Sequence, residues 1–395
     1  MTEMKAAVMN TYKRQSIAFE RGKGAWLFDA QGEKYLDALS GISVCSIGHA
    51  NPSVAQALRE QAGTLVHTSN LYRIPLQERL AEKLCAVSGM SSAFFCNSGA
   101  EANEAAIKIC RRHAAGRGIK NPAIVVMEGG FHGRTLATLS ATGNPKVREG
   151  FEPLVQGFVR IPYGNAHALR HLAEERSDIV AIMLEPILGE GGIVIPPKGY
   201  LREVRDLCDE NGWLMVLDEI QTGMARTGHW FAWQHEGTRP DIMTLAKALG
   251  NGIPIGACLA AGQCAEIFAP GNHGSTFGGN PFAARAGIAV LDYIEQHDLL
   301  ERAKILGERM LSSLKVSLGM TPGVTEIRGL GLMLGIELDR ECGDLVGKAL
   351  QEHLLINVTA GNVIRLLPPL IISDTEAELI VQRTVALIKA FLSER

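Results

Sequence analysis

Four short and almost uninterrupted apolar runs constrain this chain most: AIVVM at 123–127, IVAIMLE at 179–185, WLMVLD at 213–218 and DIMTLA at 241–246. A strand that is apolar at nearly every position is covered on both faces. Between and around the runs lie helical patterns at 52–62, 75–87, 100–115 and 197–211. Such alternation predicts an α/β fold, a mostly parallel central sheet covered by helices. In sheets of this kind chemistry gathers at the carboxyl ends of the strands. Three of the runs end there on a charge, and two of these are of opposite sign on consecutive runs: Asp218 closes the third, and Lys247 directly follows the fourth.

A charge stranded at the end of an apolar strand is costly unless it is paired or used. One carboxylate and one amine so placed could grip a planar cofactor from two sides. The aspartate would keep a pyridine nitrogen protonated and the lysine would form the imine to an aldehyde, the working pair of a pyridoxal-phosphate site. A structural ion pair for Asp218 and a snorkelling stem for Lys247 are the alternatives at this point.

Composition sets limits around this reading. A chain of 395 residues can bury a large core and carry a second, smaller domain. The net charge of −3 leaves no nucleic-acid footprint, and Arg111-Arg112-His113 reads as a solvated helix face. Eight scattered cysteines without a C-x-x-C pair predict neither a disulfide framework nor a metal site, and fit a reducing cytoplasm. No signal-peptide pattern opens the chain, and the most apolar span, 179–196, is broken by Glu185, Pro186, Gly189 and Glu190, so no membrane span is expected.

The loops after the strands hold the remaining candidates. Asn97-Ser98-Gly99 stands between an apolar run and a helix that Ala100 continues. Free amides at such a helix start bind phosphate, although an ordinary serine cap gives the same string. In MEGGFHGRT, Phe131 could stack on a ring and Arg134 could hold a carboxylate with two prongs; a core phenylalanine beside a solvated arginine would look alike. Gln221, three residues beyond Asp218, could reach a ring hydroxyl. His273-Gly274-Ser275-Thr276 forms a second hydroxyl-bearing loop that could bind phosphate or substrate. Glu190 follows EPILG, and Arg365 interrupts the apolar run NVIRLLPPL, where an unpartnered guanidinium is expensive. We expect three parts: an N-terminal segment 1–50 joining the small domain, a large domain 51–290, and a small α+β domain 291–395. One long helical stretch is expected from about residue 280 through LLERAKILGERMLSSL.

Seven segments in order, RGKGAWLFDAQGEKYLD, NSGAEANEAAIK, GGFHGRT, EPILGEGG, LDEIQTGMARTG, TLAKALGNGIPIGA and HGSTFGGNP, resemble the class III, ornithine-type pyridoxal-phosphate aminotransferases over nearly the whole chain. The resemblance implies the fold-type I architecture of these transferases. Lys247 would be the Schiff-base lysine and proton carrier, Asp218 would hold the pyridinium, Gln221 the ring hydroxyl, and Phe131 would stack on the ring. Ser98, Gly99 and Ala100 would cradle the phosphate, completed by Thr276 from the partner subunit, so the working unit would be a homodimer with shared sites. SGISVCSIGH, HTSNLY…PLQERLAEKL and NVIRLLPPL point to the branch that moves the δ-amine of N2-acetylornithine to 2-oxoglutarate; 4-aminobutyrate or succinylornithine as donor is the alternative. Ile42 stands where ornithine-specific members carry tyrosine. Arg134 would hold the distal carboxylate of either substrate, with Ser275 nearby, and Arg365 the α-carboxylate of glutamate. Glu190 would pair with Arg365 when the acetylated donor is bound. Leu188 and Arg73 depart from the family pattern and are expected at the mouth of the substrate pocket.

Overall fold

A computed structural model describes residues 7–394. Residues 1–6 and Arg395 lie outside the described residues, and with them the start of the 1–50 segment and part of the stretch read as lacking a signal peptide.

The four apolar runs form adjacent strands of a seven-stranded sheet. Its order is Ser92–Cys96, Gly256–Ala260, Ile242–Leu245, Leu214–Asp218, Ile179–Leu184, Ala123–Met127 and Phe158–Ile161. The five strands from Ile242–Leu245 to Phe158–Ile161 run parallel. Gly256–Ala260 is antiparallel to both of its neighbours. It and the two outermost strands are not among the four runs. Two of them border loops rich in glycine and asparagine, so their apolar signal is diluted.

Small side chains bring the helices close to the sheet. Helix Gly99–Gly116 buries Ala102, Ala105, Ala106, Ile107, Ile109 and Cys110 against strands near the sheet centre. Ser98 caps it by accepting the Glu101 amide at 3.2 Å. The helix expected at 197–211 begins only at Tyr200, because Gly199 takes a left-handed φ of 88°. The stretch expected as one long helix is two, Pro281–Gln296 and Leu299–Leu318. Asp298, at φ 48°, turns the chain between them.

Two four-stranded sheets complete the molecule. Trp26–Asp29 and Lys34–Asp37 form a hairpin around Gln31-Gly32, with Asp29 Oδ1 accepting the Gln31 and Glu33 amides. The last strand of that hairpin pairs in parallel with Leu354–Leu355, so strands from the two ends of the chain share one sheet. Val324–Leu330, Met333–Leu338, Val363–Leu366 and Asn357–Thr359 form the third sheet, which carries Arg365.

Candidate active site

Asp218 ends its strand at the centre of the large sheet and is 3% exposed. Asn103 Nδ2 donates to its Oδ2 at 2.7 Å, and His132 Nδ1 lies 2.8 Å from the same oxygen. A carboxylate only accepts, so that ring nitrogen carries the hydrogen. Oδ1 accepts the Ile220 amide at 3.1 Å, which leaves it a second lone pair. Asn103 also donates to the His132 carbonyl and accepts from Thr244, so the carboxylate is held in one orientation.

Lys247 follows the neighbouring strand and adopts φ 44°. A non-glycine residue held left-handed is strained, and such strain gathers where the surroundings over-determine the backbone. The turn after it needs Gly250, since a Cβ there would come within 2.1 Å of the Ile253 carbonyl. Burial pulls the Lys247 ammonium below its ordinary value; Glu190 opposes this, Arg365 adds to it, and Glu185 and Asp218 oppose it more weakly.

A cavity of about 410 Å³ joins these groups: Ser98, Gly99, Ala100, Phe131, Arg134, Asp218, Gln221 and Lys247 all line it. Ser98 Oγ takes the Glu101 amide and the Glu101 carboxylate takes the Asn97 amide, leaving the first amides of the helix for another acceptor. The serine cap and the free helix start are therefore both present. Gly256 lets the adjacent strand pass close to this loop, because a Cβ there would lie 2.4 Å from the Ser98 carbonyl.

Arg365 is fully buried beside the site. Its Nη1 donates to Glu190 Oε1 at 2.6 Å and to Gln221 Oε1 at 3.2 Å, and Nε donates to Asn357 at 3.0 Å. Nη2 has no partner among the described residues. The Glu190 side chain is 36% exposed. Burial works to raise its pKa, yet Arg365, with Lys247 and Gln221 adding, brings it below the ordinary value.

Other expected residues fall elsewhere. Ser275 and Thr276 line an adjoining cavity of about 510 Å³, where Asn97 borders both spaces and Thr276 is exposed. Ile42 packs beside Ile187, Ile193, Met333 and Leu367 rather than lining the cavity, which its neighbour Val44 reaches. Neither departure from the family pattern lines the cavity. Leu188 is 3% exposed, bridged to Val194, and Arg73 is exposed and paired with Glu78 at the start of a helix. Their places follow from packing: an isobutyl chain gains more from the core, and Arg73 finds an acid five residues ahead.

The family profile described as Aminotransferase class-III matches residues 7–388. The chain belongs to the class III aminotransferases. Acetylornithine aminotransferase of Nitrosomonas europaea is 54% identical to it, over 98% of this chain and 99% of that one. The protein of that name from Methanothermobacter thermautotrophicus is 47% identical over 94% of this chain and 93% of its own. Among solved structures, ornithine aminotransferase from Toxoplasma gondii superposes with a TM-score of 0.95 at 34% identity, covering 98% of this chain and 94% of that one. N-acetylornithine aminotransferase from Stenotrophomonas maltophilia gives 0.84 at 36%, covering 97% and 98%.

Class III aminotransferases use pyridoxal phosphate, and this chain is a pyridoxal-phosphate-dependent transaminase of fold-type I. Its residues fit that group. A carboxylate with a free lone pair, an amine, an aromatic face and an open helix start meet in one cavity. Sequence reasoning passed over Asn103, His132 and Glu185 as site residues. The available signal was polarity inside apolar surroundings: Glu185 closes an apolar run as Asp218 does, and Asn103 sits between Ala102 and Ala105 on the buried helix face.

Proposed function

We propose that this transaminase moves the δ-amino group of N2-acetylornithine to 2-oxoglutarate, giving N-acetylglutamate 5-semialdehyde and glutamate, a step of arginine biosynthesis in the cytoplasm. The observation that carries the reading is the buried Arg365 held by the partly exposed Glu190. One site has to accept a donor with no carboxylate beside its reacting carbon and a product, glutamate, that has one. A counter-ion able to leave toward solvent meets both needs. The acetylated donor is supported by the name carried by relatives of 44–54% identity; Ile42 in place of tyrosine speaks against free ornithine alone.

Pyridoxal phosphate, when bound, supplies an aldehyde to carry the amino group and a ring to accept electrons. Asp218, oriented by His132 and Asn103, holds a proton at the pyridine nitrogen. Lys247, with its ammonium disfavoured by burial, takes up and returns the proton at the donor's δ-carbon. Phe131 covers one face of the ring, Gln221 reaches the ring hydroxyl, and the amides of Ser98, Gly99 and Ala100 hold the phosphate. Arg134, at the open side of the cavity, binds the distal carboxylate of either substrate. Glu190 occupies Arg365 while the donor reacts and leaves it for glutamate.

We assign the phosphate's last ligand to Thr276 of a second copy, with Ser275 close to substrate, in a homodimer with shared sites. Support comes from the exposure of Thr276 and its place in the cavity next to Asn97. We read the chain as an N-terminal segment 1–50, a cofactor-binding domain 51–290 and a small domain 291–395. A donor panel tests the function. Acetylornithine, ornithine, succinylornithine and 4-aminobutyrate are compared for bleaching of the yellow enzyme, with glutamate measured as product. Acetylornithine should give the highest kcat/KM; a clear preference for another donor overturns the assignment.

A further inference from the structure

Glu185 is a buried carboxylate on the wall of the cavity, 5% exposed, that the chemistry above does not use. Its two oxygens go to two different loops. Oε1 accepts the Phe131 amide at 2.9 Å and Oε2 accepts the Gly189 amide at 3.0 Å. The first loop presents the aromatic face, and the second leads directly into Glu190. The loops also touch: a Cβ on Gly129 would lie 3.3 Å from Leu188, and one on Gly191 would lie 2.8 Å from the Gly129 carbonyl. The backbone bearing the carboxylate is pinned in turn, since the Tyr163 hydroxyl sits 3.0 Å from the Glu185 carbonyl and 2.8 Å from that of Pro186. Glu185 is thus the one side chain hydrogen-bonded to both loops among the described residues.

We propose that Glu185 is a positioning residue that locks the ring-covering Phe131 loop to the Glu190 loop, so that grip on the cofactor and the release of Arg365 are set together. This rests on the reading of the cavity as the cofactor site. Only the ionised form can hold both loops, because an ionised carboxylate offers two accepting oxygens. A protonated carboxyl, or the amide of Gln, turns one of them into a donor facing an amide N–H. Burial pushes the Glu185 carboxyl up to about 7; Asp218 adds to this, while His132 and the two amide bonds oppose it. Asp218, His132 and Lys247 face it from three strand ends and Tyr163 from a fourth. The lock therefore closes as pH rises through about 7.

The test compares wild type with Glu185→Gln, both as full-length holoenzyme. Two quantities are measured: the cofactor dissociation constant, and the ratio of single-turnover kcat/KM for glutamate against the acetylated donor. Loss of one charge-assisted hydrogen bond should raise the dissociation constant about tenfold and move the ratio about tenfold in the same variant. From about pH 8 to about pH 6 wild type should show both changes and the variant neither. A merely structural residue would lower the melting temperature without that pH response. If Glu185→Gln does not fold, the wild-type pH series carries the test. Either quantity moving alone, or neither moving, overturns the lock. Wild type that binds no cofactor, or runs neither half-reaction, overturns instead the reading of the site.

Discussion

Arg365 and Glu190 show how far single residues divide the work of this site. The guanidinium is fully buried, and its nearest carboxylate belongs to a side chain with one face in solvent. Removing a partner from a buried charge costs about 3–5 kcal/mol. Arg365→Ala should accordingly lower kcat/KM of the glutamate half-reaction by about 100-fold or more, while the acetylornithine half-reaction changes by less than about tenfold. Equal losses in the two single-turnover measurements would remove the switch. Lys247→Ala should abolish both. Much of this was legible in the chain. Asp218, Lys247 and Arg365 stand out because charge inside an apolar run has few affordable explanations. Glu185 closes an apolar run in the same way, but nothing in the run names its partners; for Asn103, His132 and Glu185 alike, what makes them functional is a partner 115, 86 or 54 residues away. Only the sheet brings such pairs together.

Among the elements, the turn 40–43 was the least legible. Ser40, Gly41, Ile42 and Ser43 all have positive φ, between 53° and 68°. Nothing in SGIS announces a left-handed run, and a β-branched residue is a poor occupant of one. The conformation is imposed from outside. Arg226, with no exposure and no carboxylate partner among the described residues, donates to Ser43 Oγ at 3.0 Å, Ser46 Oγ at 2.9 Å, the Leu332 carbonyl at 3.0 Å and the Pro368 carbonyl at 2.6 Å. Ser40 Oγ donates to the Leu367 carbonyl and Asp37 accepts the Ser40 amide, which fixes the other end. Arg226 thus bolts the N-terminal segment and the third sheet to the loop that follows Asp218. Arg226→Met keeps most of the volume but leaves two hydroxyls and two carbonyls without their donor. It should lower unfolding stability by about 3 kcal/mol or more. An unchanged denaturation midpoint would mean that the turn holds itself. The regular elements were read more easily: helix Pro52–Ala62 and the strand ending at Asp218 follow from apolar periodicity and from Asn51 and proline at the helix start.

At the scale of the whole molecule, the large sheet concentrates charge at one end of its strands, and this has a measurable cost. Glu185 and Glu219 follow adjacent strands and are 5% and 1% exposed, and burial pushes each carboxyl from 4.5 up to about 7. Glu219 accepts the Ala232 and Trp233 amides and the Thr222 hydroxyl, which resist the shift without cancelling it. A group whose pKa is raised on folding stabilises the folded state most when protonated. The contribution is complete below 4.5 and is lost as pH rises through about 7. Each group amounts to on the order of 3 kcal/mol. His49, raised to about 9 against burial by its bonds to Asp37 and Cys45, acts in the same direction between 6.5 and about 9. His113, His235 and His273 are lowered by burial and act oppositely, but only below their ordinary 6.5. The melting temperature of the cofactor-free protein should therefore fall as pH rises from 6.5 to about 9, through the two carboxyls up to about 7 and through His49 beyond. Glu219→Gln, which cannot ionise, should flatten that slope while leaving the cavity's own groups in place. A slope identical in variant and wild type would show that Glu219 is already ionised in the folded protein, and that its three donors outweigh its burial.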